Sequence, residues 1–380
     1  MKKVLFITTI SGFLPQFEYN DVKILQEMGC EIHYASNFKK PVYAFDDEDL
    51  EKQGIILHQI DIEKSPLKLK QNLKATKQLK KIIEENEIDM IHCHNPMGGV
   101  SGRIAARISK RIPYVIYTAH GFHFYKGASF WNWLLFYTAE FFLARYTNQL
   151  ITINREDYLR AQKLPLKKGG SVTQIHSVGV DNNKFVPNKK IAEEKRKELG
   201  IPLDAFHIVT AAELTINKNQ KIVIDAIAEL KGKNIYFSIC GKGSNEERLK
   251  SLIREKYMEN RIRLLGYRTD MEEILQTADC FAFPSFREGL GVAAIEALLC
   301  GIPLIVADNR GTREYAVSGE NSIVCQADNK TEFIEAIELL YSDSRKRQEM
   351  ASKCRHSVDE FTIEEVEKTM KEVYRKWISP

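Results

Sequence analysis

Short apolar runs recur along this chain, and between them apolar residues return every three or four positions. Val4–Ile7, Glu31–Ala35, Gly54–His58, Asp89–His92, Tyr114–Thr118 and Gln149–Ile153 read as strands. Tyr19–Met28 (closed by Gly29), Leu67–Glu85, Gly98–Ser109 and Trp131–Tyr146 read as the helices between them. Strands alternating with helices predict an α/β fold with a mostly parallel, doubly wound sheet. Ser177–Pro187 is rich in Gly, Asn and Pro and reads as a linker. The pattern then restarts, with strands at Phe206–Thr210, Ile235–Cys240, Ile262–Leu265, Cys280–Pro284 and Leu304–Ala307. Helices are expected at Ile191–Leu199, Lys221–Leu230, Glu246–Tyr257, Met271–Ala278, Val292–Cys300, Glu332–Leu340 and Ile363–Ile378. Two Rossmann-like domains follow, over residues 1–180 and 187–358. Two such sheets imply a cleft with ligands beyond the carboxyl ends of the strands.

The stretch Phe286–Pro303 carries the clearest chemistry. Its helix is apolar nearly all round and therefore buried, yet it holds Glu296. A buried carboxylate is costly unless it is hydrogen-bonded or paired. Glu288 lies in the loop at the helix mouth, where Gly289, Leu290, Gly291 and Val292 leave backbone amides at a helix N-terminus, a ready anion site. An anion site flanked by two carboxylates suits a ligand with phosphate in the middle and hydroxyls at both ends. A nucleotide sugar has that form.

Other strand-end loops add candidates, each weak alone. Glu213 and Lys218 follow the first strand of the second domain, and Lys218 can hold a diphosphate as a point charge or be a plain surface lysine. Gly241 and Gly243 make a glycine turn before a helix, but no GxGxxG is present. Tyr267 or Arg268 can meet a base, and Asp270 can be a helix N-cap. In the first domain, Ser11-Gly12 follows the first strand, and His120 ends a strand before a glycine, as a cleft residue or a satisfied loop histidine. His92 and His94 have strand spacing for a metal pair. Without a third ligand beside them on the same strand face, a polar or core role is expected. Asp46–Asp49 reads as a solvated acidic loop.

Composition narrows the class. The 380 residues carry a formal net charge of only +4, which does not indicate a nucleic-acid partner. The seven cysteines form no CxxC pair and lie mostly in apolar runs, as reduced core residues do. The first ten residues read as a core strand and not a signal peptide, and no apolar run is long enough to span a bilayer. Tyr114–Tyr146 holds more aromatics than one helix face can bury, which predicts an exposed apolar patch. With Lys126 and with Lys68, Lys70, Lys74, Lys77, Lys80 and Lys81, it suits an anionic membrane surface; a core helix beside a solvated lysine face is the alternative.

Glu288 and Glu296 with Gly289-Leu-Gly291 resemble the E-x7-E signature of family 4 GT-B glycosyltransferases. The Lys218 loop, Gly266–Asp270, Arg310–Glu314 and the closing helix extend the likeness over nearly the whole chain. Thr118–Ala128 is similar to capsular and exopolysaccharide glycosyltransferases. The resemblance implies that the second domain holds most of the nucleotide sugar. Glu296 would bind ribose and Glu288 the transferred sugar. Leu290, Gly291 and Val292 amides with Lys218 would hold the diphosphate, the Arg268 main chain would meet the base, and His120 would sit beside the sugar. It further implies retained anomeric configuration, no metal or other cofactor, and a closing helix (361–380) that returns to the first domain. Two departures stand out: many relatives have Arg at Glu213, whose role Arg310 or Arg313 would take, and often Gly-Gly where this chain has Ser11-Gly12.

The expected protein is thus a glycosyltransferase at the inner face of a bacterial plasma membrane. It would move a sugar, an N-acetylhexosamine by resemblance, from a UDP-sugar to a lipid-linked (undecaprenyl-diphosphate) saccharide. The competing readings are a UDP-sugar 2-epimerase-like enzyme and a non-catalytic nucleotide-sugar-binding subunit.

Overall fold

The computed structural model describes residues 1–41, 46–176 and 178–378. Ser177, the first residue of the expected linker, and the last two of the expected closing helix lie outside the described residues. The chain forms two compact units, Met1–Gly179 with Ile363–Pro380, and Val180–Thr362.

In the first unit, seven parallel strands pair in the order β3-β2-β1-β4-β5-β6-β7. They are β1 Lys3–Ile7, β2 Glu31–Ser36, β3 Ile55–Gln59, β4 Met90–His94, β5 Tyr114–Ala119, β6 Gln149–Thr152 and β7 Ser171–Gln174. A parallel sheet is covered on both faces, so its central strands are apolar throughout. Leu5, Ile7, Ile91, Cys93, Val115, Tyr117 and Leu150 accordingly meet Leu79, Ile83 and Ala105 in one core. The closing helix Ile363–Ile378 belongs to this unit. Its Tyr374 hydroxyl donates to Asp21 Oδ2 at 2.9 Å and lies 3.0 Å from His92 Nδ1. A hydroxyl has one proton, so His92 Nδ1–H is the donor in the second contact.

The second unit repeats the plan with six parallel strands in the order β10-β9-β8-β11-β12-β13. They are β8 Phe206–Ala211, β9 Ile235–Cys240, β10 Ile262–Gly266, β11 Cys280–Phe283, β12 Leu304–Ala307 and β13 Ser322–Cys325. Ile208, Phe237, Ile239, Ile305, Val223, Ile227, Phe333 and Ile337 fill its core. All seven cysteines are free and buried.

Two strands absent from the pattern, β7 and β13, each lie at one edge of their sheet, as β3 and β10 do at the other. β7 and β13 are each four residues long, and an edge strand pairs on one side only. Asp46–Asp49 is no loop: Asp46 caps the helix Asp47–Lys52 by accepting from the Glu48 amide. The aromatic segment is one helical run whose middle, Trp133–Tyr137, is π-helical. Glu140 in this run clamps Arg103 of the helix Pro96–Ile108 through two bonds of 2.7 and 2.9 Å. Arg103 is fully buried and also stacks over the Tyr117 ring at 4.1 Å. Phe130, Trp131, Leu134, Leu135 and Phe142 stay exposed, as do Leu67, Leu69 and Leu73 at the start of the lysine-bearing helix Leu69–Glu85. The exposed apolar patch expected from the aromatic excess is therefore present.

Candidate active site

The strand order reverses in the second unit between β8 and β11, and parallel sheets bind ligands at such a switch point. The loops leaving these two strands are stitched together. The Phe286 amide donates to the Asn217 carbonyl at 2.9 Å, and Asn217 Nδ2 donates to the Arg287 carbonyl at 2.9 Å. Asn219, in the left-handed region at φ 54°, reaches the carbonyls of Pro284 and Ala327 at 3.2 and 2.7 Å. These bonds set Lys218 Nζ against Glu288 Oε1 at 2.6 Å. Glu288 is 9% exposed, and the ammonium balances its charge. An ammonium has three donors, so two remain for a second oxyanion.

Glu288 opens onto the helix Val292–Leu299, whose first-turn amides have no partner within the helix. Gly291 caps it at φ 100°, a conformation that favours glycine. A Cβ there would lie 2.5 Å from the Phe283 ring and 2.9 Å from the Tyr315 hydroxyl, so the chain passes where no side chain fits. Arg310 is buried at this mouth, its Nε donating to the Glu288 carbonyl at 3.2 Å, while Arg313 is held by Asp308 at 2.6 and 2.9 Å. Of Arg310 and Arg313, Arg310 is thus the one at this helix mouth. Glu213 itself is exposed.

Glu296 sits one turn into the same helix. Among the described residues its carboxylate makes no hydrogen bond. Burial pushes it up to about 7, against the pull of Lys184 and with a push from Glu272. A half-buried carboxylate without a protein hydrogen-bond partner, on an otherwise apolar helix, fits a ligand that brings hydroxyl donors.

The remaining candidates of this unit line neighbouring strand ends. Gly241 follows β9 at φ 138°, and a Cβ would lie 2.0 Å from the Ala212 carbonyl oxygen. Tyr267 is 64% exposed beyond β10. The Arg268 guanidinium is held by Asp270 through bonds of 2.8 and 2.6 Å. Asp270 occupies the N-cap position of Met271–Gln276 without capping it by its side chain. Arg268 and Lys195 hold its carboxyl well below the usual range instead.

His120 and Gly12 belong to the first unit. Gly12 is buried, with φ 78°. His120, just beyond β5, joins His94 at the end of β4 and Glu18 at the end of the π-helical turn Leu14–Glu18. His92 stays out of this group, because Tyr374 and Thr118 occupy both its nitrogens at 3.0 and 2.8 Å. Glu18 is the carboxylate that the sequence does not place near these histidines. Only the pairing of β1 with β4 brings it there. Burial pushes Glu18 up to about 7, His120 down to about 4 and His94 down to about 3.

The profile of the family Glycosyl transferases group 1 matches residues 191–357, and that of Glycosyl transferase 4-like matches residues 3–154. A Bacillus subtilis (strain 168) protein named "Putative glycosyltransferase EpsD" is 36% identical over 381 residues, covering 99% of this chain and 97% of that protein. The Escherichia coli UDP-Gal:alpha-D-GlcNAc-diphosphoundecaprenol alpha-1,3-galactosyltransferase is 28% identical over 297 residues, 77% of this chain and 76% of that one. The crystal structure of Anabaena HepE in complex with UDP-glucose shares the fold, with a TM-score of 0.80 at 20% identity over 99% of this chain and 100% of that one.

Proposed function

The chain belongs to the group 1, family 4-like glycosyltransferases of the GT-B fold, and we propose that it carries a sugar from UDP to a lipid-linked saccharide in polysaccharide biosynthesis. The observation that carries this reading is the Lys218–Glu288 pair, 2.6 Å apart at the switch point of the second sheet, beside a helix mouth and the half-buried Glu296. Glu296 accepts the ribose hydroxyls. The amides of Leu290, Gly291 and Val292 receive the diphosphate together with Lys218, and Glu288 accepts hydroxyls of the sugar. Tyr267, the Arg268 main chain and the Gly241 turn are assigned to the base and its flank. His120 and Gly12 are assigned to the first unit's contact with sugar or acceptor.

In this scheme the bond from sugar C1 to the diphosphate breaks and its electron pair goes to the departing oxygen, while the acceptor hydroxyl oxygen bonds C1 and its proton passes to the departing diphosphate. The growing charge meets fixed donors, which need no reorganisation as the reaction proceeds. Glu288 is committed to sugar hydroxyls and to Lys218, so no covalent glycosyl-enzyme is assigned to it, and retained configuration is assigned to acceptor attack on the face that the diphosphate leaves. Lys218 and the helix mouth supply the positive charge for the diphosphate, so the scheme asks for no metal there. A UDP donor and an undecaprenyl-linked acceptor are supported by the name of the Escherichia coli relative. An N-acetylhexosamine is assigned as the donated sugar. Attachment to the inner face of the plasma membrane is supported by the exposed Phe130, Trp131 and Phe142 and the lysines of Leu69–Glu85. No helix among the described residues is long and apolar enough to cross a membrane.

A donor panel tests the reading. A ligand that binds only the folded chain raises its stability by RT ln(1 + [L]/Kd), about 2.7 kcal/mol at a hundredfold excess over Kd. UDP-sugars are expected to raise the melting temperature, and GDP-sugars are not. Release of UDP only when a lipid-linked acceptor is added identifies transfer. An epimerised donor without acceptor, or no turnover with any donor, contradicts it.

A further inference from the structure

A hollow of about 400 Å3 opens in the second unit where the loops leaving β8 and β11 meet the helix Glu246–Glu255. That volume lies within the roughly 300–1,000 Å3 of small-molecule sites. Leu249, buried in the core of the unit, lines it from below. Ile216 and Phe286, from two different loops, line it with 69% and 47% of their surfaces exposed. We infer that this hollow is a saccharide-binding groove, which holds a neutral stretch of the glycan that the enzyme extends.

The polar groups around the groove are unspent. Asn245 stands at the N-cap position of the helix without capping it by its side chain. Arg248 and Glu255 make no hydrogen bond or ion pair among the described residues. Their helix neighbours do: Lys250 reaches Glu246 and Glu247 at 2.8 Å each, and Arg254 donates to Ser251 at 3.3 Å. Lys221, in the neighbouring helix Gln220–Glu229, is paired with Asp225. One guanidinium and one carboxylate thus remain, seven residues and so about 10 Å apart along the helix axis.

Their opposite signs choose the occupant. A polyanionic ligand would meet Glu255, and a cationic one Arg248. A neutral ligand whose groups both donate and accept suits the two together. It must also cover Ile216, Leu252 and the Phe286 ring, so it carries apolar faces beside its polar groups. A pyranose has both. Hydroxyls surround its rim, and the C–H bonds of its faces meet the negative face of an aromatic ring. The spacing of Arg248 and Glu255 calls for more than one such ring.

The position gives the groove a use. Ile216 and Asn219 flank Lys218 in sequence, and Phe286 lies two residues before Glu288. A glycan bound there is held beside the loops that carry the Lys218–Glu288 pair. Tethering at a second point raises the effective concentration of the chain at the donor site. Long acceptors then gain over short ones with no new contact to the transferred sugar. This use rests on the proposed transfer to a saccharide.

The test is saturation-transfer difference NMR on the full chain with UDP present. Chitotetraose and maltotetraose are the neutral probes, and a heparin tetrasaccharide is the polyanionic one. At least one neutral probe is expected to take up saturation, and the heparin fragment is not. Ser251→Trp fills the hollow and should remove most of that signal. Arg248→Ala should weaken binding about tenfold, the loss of one charge-assisted hydrogen bond. Neither residue is buried, so both variants should fold and keep the parent's melting-temperature shift with UDP. No saturation of either neutral probe overturns the proposal. So does an equal signal in Ser251→Trp, or stronger binding of the heparin fragment. Each of these results is compatible with bound UDP. Failure of the donor assignment is separate, and shows as no response to UDP in parent and variants alike.

Discussion

Replacing Glu296 by glutamine should stabilise the free protein and weaken its grip on the donor. The carboxyl is moved from its ordinary 4.5 up to about 7, chiefly by burial. Keeping it ionised therefore costs the folded state about 3 kcal/mol. The sign follows from linkage: a folded value above the unfolded one gives stability that is complete below about 4.5 and is lost as pH rises through about 7. An amide of the same shape escapes that loss but still buries a polar group, at about 1–2 kcal/mol. The variant should thus gain about 1–2 kcal/mol at pH 8, seen as a few degrees in melting temperature, and gain nothing at pH 5. UDP should behave in the opposite way. Losing two charge-assisted bonds to the ribose removes about 2–3 kcal/mol, or roughly 30–150-fold in Kd. Scanning fluorimetry at pH 5 and pH 8, with and without UDP, reads both effects. A variant less stable than the parent at pH 8, or one that binds UDP equally well, refutes the reasoning.

Three other outcomes follow from the same geometry. Lys218→Met should lower transfer by about 10²–10³, and Lys218→Arg should restore little of it because a planar fork does not replace a point charge; both are read in an acceptor-dependent UDP-release assay. Glu140→Ala strands the buried Arg103 guanidinium and should cost about 3–5 kcal/mol in urea unfolding, whereas Arg103→Met with Glu140→Met should recover most of that loss. Trp131→Ser combined with Phe142→Ser should reduce sedimentation with vesicles containing anionic lipid by about tenfold, and added salt should weaken the parent's binding through its lysines.

The sequence disclosed one half of the site better than the other for a physical reason. Glu288, Gly289–Val292 and Glu296 lie within nine residues on one loop and one helix, so local rules reach them. A carboxylate in an apolar helix is anomalous at sight, and in the structure Glu296 is half-buried with no side-chain partner among the described residues. Lys218 is seventy residues away from Glu288. Only the position of its loop after a strand hinted that the two meet. Glu18 gave less still. It is a polar residue before the helix Tyr19–Glu27, and nothing in its neighbours marks it. The pairing of β1 with β4 makes it a partner of His94, and pairing of remote strands has no local signature. The central strands were legible because burial on both faces makes them continuously apolar. The edge strands β7 and β13 were not, since the first, Ser-Val-Thr-Gln, has no apolar run and the second, Ser-Ile-Val-Cys, sets a short one between polar neighbours. The acidic run at Asp46 misled in another way: charge suggested solvent, which is right, but a capped helix is as soluble as a loop.

Glu288→Gln tests the central claim most directly. The amide keeps the shape of the side chain but loses the charge that Lys218 balances and the acceptor that the sugar hydroxyls need. UDP affinity should stay within about threefold of the parent, because the ribose contact at Glu296 and the helix mouth are untouched. Transfer from UDP-sugar to lipid-linked acceptor should fall by at least about 10³. Near-normal turnover in that variant would contradict the assignment of Glu288 to the sugar, and with it the account of the donor site.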